Sequence, residues 1–315
     1  LYFNILFLTT HRSLFIQGFY SLRIISSRNR GGNTAELLDN IITSTPLQVI
    51  KRMSLSTMDF NESSDIKKKL QDVRFRIRKT LEECNRSETS VRLVAVSKTK
   101  PVAMLVQAYE DGQRYFGENY AQELIGKAEE MKEICPDIKW HFIGPLQSNK
   151  AAPLVKGVGK SLRCVETIST FKVAQKLDKA VEELLKVTNE ESSVGTEARK
   201  PYRLIVYLQI DTSGETTKSG VSAKDAPFLA SEIAEKCHHL SVEGVMTIGA
   251  TGDFTCFDAL VTCRKDVAAA LNRDPDNMEL SMGMSGDFEE AIKRGATSIR
   301  VGSTIFGERD YSKKK

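Results

Sequence analysis

The sequence predicts an α/β fold in which eight parallel strands close into a single barrel. Two observations lead to this prediction: eight short apolar runs follow residue 90, and the segments between them have helical spacing. A strand followed by a helix, repeated along a chain, is typical of parallel strands joined by crossover connections, and eight such strands form a (β/α)8 TIM barrel. A doubly wound open sheet is the alternative, because a strand count from one sequence can be wrong by one.

The predicted strands and helices alternate as far as residue 307. The apolar runs are RLVAVS (92–97), RYFGEN (114–119), KWHFIG (139–144), RCVETI (163–168), RLIVYLQID (203–211), SVEGVMTIG (241–249), MELSMGMS (278–285) and TSIRVGSTIFG (297–307). Helical spacing occurs at 101–111, 120–134, 148–158, 170–186, 225–237, 254–272 and 286–294, and it is weakest at 148–158, which is short and contains Pro153. An extra N-terminal helix is predicted over 62–84, where apolar residues recur at 66, 70, 73, 77 and 81.

Composition and charge narrow the class of protein. Of the 315 residues, 41% are hydrophobic and 27% are charged, as in ordinary globular proteins, and no apolar stretch is long enough to cross a membrane. Residues 1–57 hold six of the 45 basic residues and two of the 41 acidic ones, so 39 of each sign remain and no nucleic-acid footprint is expected. The six cysteines show no C-x-x-C spacing, so we expect a reducing compartment, no disulfide framework and no metal site.

The first 57 residues differ in composition from the rest of the chain. They carry Arg, Ser and Leu and few acids, which is typical of an organellar transit peptide, although Met53 or Met58 could equally be the native start. We therefore expect a disordered N-terminal extension over 1–57 and a barrel domain over 58–315. The expected location is the cytoplasm, or the mitochondrion or plastid if the extension is a genuine transit peptide.

A ring of polar residues follows the predicted strands. Because reactive groups of such barrels lie at the carboxyl ends of the strands, these residues are expected around one mouth. They are Lys98, Asn119, His141 to Gly144, Thr167, Asp211, Thr247 to Gly249, Ser285, Arg300, Gly302 and Ser303. Burial disfavours the charged form of a lysine such as Lys98, and a neutral amine attacks carbonyl groups, so a Schiff base with a sugar-like substrate or with pyridoxal phosphate is predicted.

The last two strands favour an aldehyde that carries a phosphate. Gly302 and Ser303 follow the final strand, and Ser285 precedes the 286–294 helix, so hydroxyl and N–H groups of two neighbouring loops converge where such barrels usually bind phosphate. Arg300, flanked by apolar residues, points inward and needs a polar partner. Two partners are open: a pyridine nitrogen, or a salt bridge to Glu166 or Glu243.

Five motifs in this order closely resemble the pyridoxal phosphate homeostasis protein family: LVAVSKTKP, FGENYAQEL, WHFIGPLQSNK, GVMTIG and LSMGMSGDFEEAIKRGATSIRVGSTIFGE. The resemblance covers about residues 62–310. It implies a fold-type III barrel like that of alanine racemase, without the second β domain. It also implies pyridoxal 5′-phosphate (PLP) covalently bound to Lys98, with Asn119 beside the ring, Arg300 at the pyridine nitrogen, the phosphate on Ser285, Gly302 and Ser303, and Met246 and Met284 lining the pocket.

The resemblance favours a PLP carrier over an enzyme. A racemase of this type needs a second base, a tyrosine from a further β domain, and the sequence ends shortly after Gly307. We expect a monomer or weak dimer that delivers PLP to apo-enzymes and contacts neither nucleic acid nor membrane. The alternatives are a PLP enzyme with weak racemase or lyase activity and an aldolase-like barrel acting on a phosphorylated sugar. Asp211 and Ser169 depart from the family pattern of Asn and Asp.

Overall fold

The structure is a computed structural model that describes residues 60–191, 202–212, 220–249 and 252–308. The predicted extension over 1–57 lies outside these ranges, and the division at residue 58 stays a prediction. The strands are β1 (Arg92–Val96), β2 (Tyr115–Glu118), β3 (Lys139–Phe142), β4 (Leu162–Ile168), β5 (Leu204–Asp211), β6 (Val221–Ser222), β7 (Leu240–Met246), β8 (Glu279–Ser281) and β9 (Ser298–Val301). The α-helices are α1 (Phe60–Glu83), α2 (Val102–Glu110), α3 (Ala121–Met131), α4 (Ala151–Val158), α5 (Phe171–Glu191), α6 (Ala226–Lys236), α7 (Thr255–Ala270), α8 (Phe288–Lys293) and α9 (Ser303–Phe306).

The predicted closed barrel is confirmed. Neighbouring strands are parallel, in the order β1, β2, β3, β4, β5, β7, β8, β9, and the last of these pairs with β1 again. Each of the eight predicted apolar runs overlaps one barrel strand. The two-residue β6, which no apolar run predicted, pairs with the end of β5 outside this cycle. Closure leaves the eight barrel strands without a free edge.

The predicted N-terminal helix is confirmed as α1, and its apolar stripe is buried. All five residues of that stripe are less than 10% exposed, at positions 66, 70, 73, 77 and 81. The stripe packs against α2, α8 and α9. Arg76 adds a 2.7 Å ion pair to Glu289 of α8, and Arg86 donates to the carbonyl oxygens of Ile292 and Ala296. α1 therefore covers the outer side of the barrel on which α2, α8 and α9 lie.

Two predicted helices begin two or three residues later than expected, and one short helix was not predicted. α4 begins at Ala151, after a 3₁₀ turn over Ser148–Lys150, and Pro153 lies in its first turn, where the missing N–H costs nothing. α8 begins at Phe288 rather than at 286. The short α9 was read as part of the last apolar run, because four residues are too few to show helical spacing. No helix within the described ranges is long and apolar enough to span a bilayer.

The outer and inner faces of the barrel differ in chemistry. Between the strands and the helices lies one continuous apolar core. Inside the barrel, polar side chains from opposite strands meet: Ser281 of β8 donates to Glu166 of β4, and Arg92 of β1 reaches Tyr207 of β5. Barrels of this type usually fill the interior with branched apolar residues. A polar interior therefore needs complete hydrogen bonding.

Candidate cofactor site

β1 and β9 bring Lys98 and Gly302 to the same edge of the barrel. Their register sets Ala95 beside Val301, so Gly302 comes next to Val96, two residues before Lys98. The two backbones are close, because a Cβ atom on Gly302 would approach the Val96 carbonyl oxygen to 3.1 Å. Glycine thus lets β9 leave the barrel against β1 without crowding it.

β2 brings Asn119 to the other side of Lys98. Val96 lies opposite Gly117, and the N–H of Ser97 continues this pairing with a 3.0 Å bond to the Gly117 carbonyl oxygen. Lys98 and Asn119 each lie two residues beyond this pair, in the segments that follow β1 and β2. Oδ1 of Asn119 is buried and finds no hydrogen-bond partner in the part of the chain that the structure describes. Since buried polar atoms are normally paired, this oxygen is a candidate contact for a bound group.

Lys98 lies in a tight turn that we call the Lys98 turn (residues 97–100). The N–H of Lys100 closes it with a 3.0 Å bond to the Ser97 carbonyl oxygen. Thr99 has a φ of +64°, in the left-handed region that β-branched residues rarely adopt. Its N–H donates to Oε1 of Glu123 at 2.6 Å. Lys98 itself is half-buried.

A group of charged residues, the β2–α3 charge cluster, consists of Glu118, Glu123 and Lys127. Nζ of Lys127 donates to Oε1 of Glu118 and to Oε1 of Glu123, both at 2.6 Å, and to the carbonyl oxygen of Ser97 at 2.7 Å. The Ser97 hydroxyl donates to the same Glu118 oxygen at 2.7 Å. Burial raises the pKa of Glu118 above its usual value, although Lys127 and Ser97 act in the opposite direction.

Two loops after β8 and β9 meet through Ser285 and Gly302. The N–H of Gly302 donates to the Ser285 hydroxyl oxygen at 3.2 Å. Ser303 is exposed and begins α9, and the first N–H groups of a helix have no acceptor inside it. On the other side of the serine, the N–H of Met284 donates to Oδ1 of Asp287 at 2.6 Å, which shapes the loop before α8. The predicted convergence of the two loops is therefore present.

Arg300 is part of a chain of hydrogen bonds inside the barrel, the lumen network (His141, Glu166, Ser281, Arg300 and the Thr247 carbonyl). Its Nη1 donates to the Ser281 hydroxyl at 2.6 Å, and its Nη2 donates to the Thr247 carbonyl oxygen at 2.7 Å. The Ser281 hydroxyl donates to Oε2 of Glu166 at 2.5 Å, and Nδ1 of His141 lies 2.5 Å from the other Glu166 oxygen. All of these side chains are buried.

Of the two ion-pair partners that the sequence left open for Arg300, the structure selects Glu166, whose Oε2 lies 3.8 Å from Nη1 of Arg300. The other possible partner, Glu243, pairs with Arg273 instead. Burial by itself raises the pKa of Glu166, but the hydrogen bond and charge of His141, with Arg300 and Ser281, lower it below its usual value. Burial lowers the pKa of Arg300, and Glu166 opposes this effect, so the guanidinium keeps its proton.

His141, Cys164 and Glu166 place three potential metal-ligand atoms within 4.8 Å of one another. The chemistry of the group is unfavourable for a divalent cation. Burial raises the pKa of the Cys164 thiol, with Glu166 adding to the effect, so the thiol stays protonated. The Glu166 carboxylate already accepts two hydrogen bonds and lies beside the Arg300 cation. We therefore interpret the three residues as part of the polar interior.

Comparison with known proteins places this barrel in a family. Residues 69–310 match the family described as alanine racemase, N-terminal domain. The pyridoxal phosphate homeostasis protein of Bos taurus is 43% identical over 231 residues, covering 71% of this chain and 79% of that protein. The homologue of the same name from Vibrio alginolyticus is 39% identical over 257 residues, covering 79% of this chain and all of its own length. The chain belongs to the pyridoxal phosphate homeostasis protein family.

A solved structure of the same architecture extends this comparison. PipY of Synechococcus elongatus, described as having PLP bound, superposes with a TM-score of 0.59 at 29% identity. The superposition covers 77% of this chain and the whole of PipY. The homeostasis protein family and this neighbour therefore share the closed barrel, and the fold predicted from the resemblance is confirmed.

Within this homeostasis protein family member, most residues predicted at the site lie at the mouth. Lys98, Asn119, Gly302, Ser303 and Ser285 come from three neighbouring strands and the loop before α8. Arg300 lies deeper, inside the barrel, and Met246 is completely buried against Cys164 and Tyr207. Contacts of Met246 and Met284 with a ligand stay predictions.

Sequence reasoning missed the residues that support this site. Ser97, Glu118, Lys127 and Ser281 were not predicted at the site, although all but Lys127 lie inside the five family motifs. The available signal was a polar residue within a buried strand or helix face, which needs a partner. Of the two departures from the family pattern, Asp211 ends β5 beside Ser222 and Ser169 follows β4.

Proposed function

We propose that this chain binds PLP and serves intracellular PLP homeostasis, holding the cofactor and buffering or delivering it. The names of the relatives from Bos taurus and Vibrio alginolyticus support this function, and so does the description of PipY with PLP bound. The observation that carries the proposal is the pairing of β1 with both β2 and β9, because Lys98 follows β1, Asn119 follows β2, and Gly302 and Ser303 follow β9. An amine, a buried amide oxygen without a partner among the described residues, and a loop that offers hydroxyl and N–H donors therefore follow three neighbouring strands.

The residues at the mouth fit an aldehyde with a ring and a phosphate. PLP supplies an aldehyde that condenses with a lysine amine and releases water. We assign the amine to Lys98 and the ring contact to Asn119. The Ser285 oxygen already accepts from Gly302, so its own proton can be donated to a phosphate oxygen. Ser303 adds a hydroxyl and a first-turn N–H group.

Arg300 favours storage of the cofactor over turnover. We assign it to the pyridine nitrogen, and its guanidinium is fixed by Ser281 and the Thr247 carbonyl. An arginine keeps its proton, so it leaves the pyridine nitrogen unprotonated and makes the ring a weaker electron sink. A weak electron sink slows amino-acid chemistry. Met246 and Met284 are proposed as apolar walls of the pocket.

A spectrum tests the covalent attachment. The purified chain incubated with PLP is expected to be yellow, and borohydride reduction should fix the label on Lys98, as located by peptide mass spectrometry. Lys98→Ala should lose the reducible label, whereas Lys100→Ala, two residues away in the same turn, should retain it. A label on another side chain, or none on the wild type, would contradict the proposal.

Isotope exchange separates the carrier from the alternative of a weak racemase or lyase. The loaded protein is incubated with a panel of amino acids in deuterated water, and exchange at Cα is measured. Little exchange per bound cofactor is expected. Sustained exchange that Lys98→Ala abolishes would overturn the carrier assignment.

The remaining features of the function are also proposals. We propose apo-enzymes as recipients and a monomer or weak dimer in the cytoplasm, or in a mitochondrion or plastid if residues 1–57 direct import. Transfer is tested by mixing the loaded chain with an apo-enzyme and following the recovery of that enzyme's activity. The N-terminal peptide of the native protein tests the compartment.

A further inference from the structure

The β2–α3 charge cluster contacts the Lys98 turn on both sides of the lysine. Lys127 donates from Nζ to the carbonyl oxygen of Ser97 at 2.7 Å, and Glu123 accepts from the N–H of Thr99 at 2.6 Å. Lys127 and Glu123 are bonded to each other at 2.6 Å. The residues before and after Lys98 are therefore tied to one ion pair on α3.

The turn needs support from outside because of Thr99. A left-handed threonine is strained, and such conformations persist only where surrounding contacts enforce them. The Thr99 side chain is exposed, so side-chain packing does not enforce it. The contact that acts on the strained residue itself is the bond from its N–H to Glu123, and bonds to a carboxylate are stronger than neutral ones.

We propose that Glu123 is a positioning residue that, held in place by Lys127, keeps the Lys98 turn in the conformation required for loading of the cofactor. The proposal rests on the proposed attachment of PLP to Lys98. Without the Glu123 carboxylate, Thr99 relaxes toward ordinary backbone angles, and the direction of the neighbouring Lys98 changes. Glu123 would then act on the rate of covalent loading without touching the cofactor.

The alternative role for Glu123, a purely structural anchor for α3, does not explain its bond to Thr99. The helix is already held by the buried apolar side chains of Leu124, Ala128 and Met131. An anchor would also not require an acceptor for the N–H of Thr99, which belongs to the loop after β1. The bond between Glu123 and that N–H links the helix specifically to the strained residue of the turn.

Three variants on the same helix test the proposal. Glu123→Ala removes the acceptor for Thr99, whereas Glu123→Gln removes the charge and keeps an oxygen in place. Glu130→Ala removes an exposed acid from α3 and serves as the matched control. Two quantities are measured: hydrogen exchange at the Thr99 amide in the cofactor-free chain by NMR, and the rate of covalent loading at saturating PLP by absorbance.

Glu123→Ala is expected to speed Thr99 exchange by about tenfold and to slow loading by about tenfold, in line with the loss of one hydrogen bond to a charged group. Glu123→Gln should recover only part of both effects, because it keeps an acceptor but loses the charge that strengthens the bonds to Thr99 and Lys127, and Glu130→Ala should match the wild type. Unchanged exchange or unchanged loading in Glu123→Ala would overturn the positioning role. If even the wild type fails to load, the proposed function fails, and the exchange measurement still reports whether Glu123 holds the turn.

Discussion

Glu118 and Glu166 are both completely buried, yet the pKa values of their carboxyl groups are shifted in opposite directions. In the β2–α3 charge cluster, the pKa of Glu118 is raised, chiefly by burial. In the lumen network, burial acts in the same direction on Glu166, but its partners outweigh burial and lower the pKa. Burial alone therefore does not decide the protonation state of a glutamate in this barrel.

The difference in pKa follows from how the hydrogen bonds are distributed over the two oxygens of each carboxylate. Both donors to Glu118, from Lys127 and Ser97, reach Oε1, and Oε2 has no partner within the described ranges. Glu166 has a partner on each oxygen, His141 on one and Ser281 on the other. A carboxylate is stabilised in low dielectric only when most of its acceptor sites are used.

The cations near the two glutamates also differ. Lys127 is shared between Glu118 and the second carboxylate of Glu123, whose negative charge raises the pKa of Glu118 further. Arg300 faces Glu166 directly at 3.8 Å. We infer that the charge cluster is the less stable of the two arrangements, and that it depends on its single cation.

The largest expected effect comes from removing that cation. Lys127→Met removes the cation that bonds both carboxylates, one of them fully buried, and we expect a loss of about 3–5 kcal/mol in the free energy of unfolding. Urea unfolding of the cofactor-free chain measures it. The exposed Lys132→Met, one residue beyond the end of α3, is the matched control and should change stability by less than about 0.5 kcal/mol.

The double variant Lys127→Met/Glu118→Gln sharpens this prediction. If the cost arises from an uncompensated buried charge, neutralising Glu118 should recover a large part of it. A double variant no more stable than Lys127→Met would show that the lost hydrogen bond to Ser97, rather than charge, dominates the cost.

An intermediate effect is expected from neutralising Glu166. Glu166→Gln keeps the shape of the side chain but weakens the bonds to Ser281 and His141 and removes the counter-charge of Arg300, so we expect a loss of about 2 kcal/mol near neutral pH. Glu118→Gln should lower the free energy of unfolding by less than about 1 kcal/mol. The reason is that burial already destabilises the charged form of Glu118, so little stabilisation is lost with the charge. Equal losses in the two variants, measured by urea unfolding, would contradict the comparison.

The barrel could be predicted because several of its strands are short continuous runs of buried apolar residues. Residues such as Val94 to Val96 and Leu204 to Ile210 are apolar over several positions, and local sequence suffices to identify them. β6 and α9 were missed because two and four residues show no period. The start of α8 was predicted two residues too early, because Asp287, rather than Ser285, precedes its first turn.

The candidate site could be predicted only in part. Lys98, Asn119 and Gly302 were found because they follow strands, where chemistry is expected in this fold. The contacts that support them join residues far apart in sequence, such as Glu166 with Ser281, 115 positions away. Which polar residues of two strands meet depends on the radius and stagger of the closed barrel, and alternation within one strand does not contain that information.

The smallest expected effect is the pH dependence of the two glutamates. The folded pKa of Glu118 is raised, so the wild type loses stability relative to Glu118→Gln as pH rises above the unfolded value of about 4.3, until the folded pKa is passed. The folded pKa of Glu166 is lowered, so its contribution is complete above about pH 4.3 and is lost as pH falls through the folded pKa.

Urea unfolding of both Gln variants from pH 2.5 to 7 should therefore give difference curves that slope in opposite directions, with the wild type losing relative stability above about pH 4.3 for Glu118 and below about pH 4.3 for Glu166. Glu130→Gln, on the exposed face of α3, should give a flat difference curve. If both buried glutamates gave curves of the same sign, the number of satisfied carboxylate oxygens could not be the cause of their difference, and the resting protonation state of the charge cluster beside Lys98 would have to be reassigned.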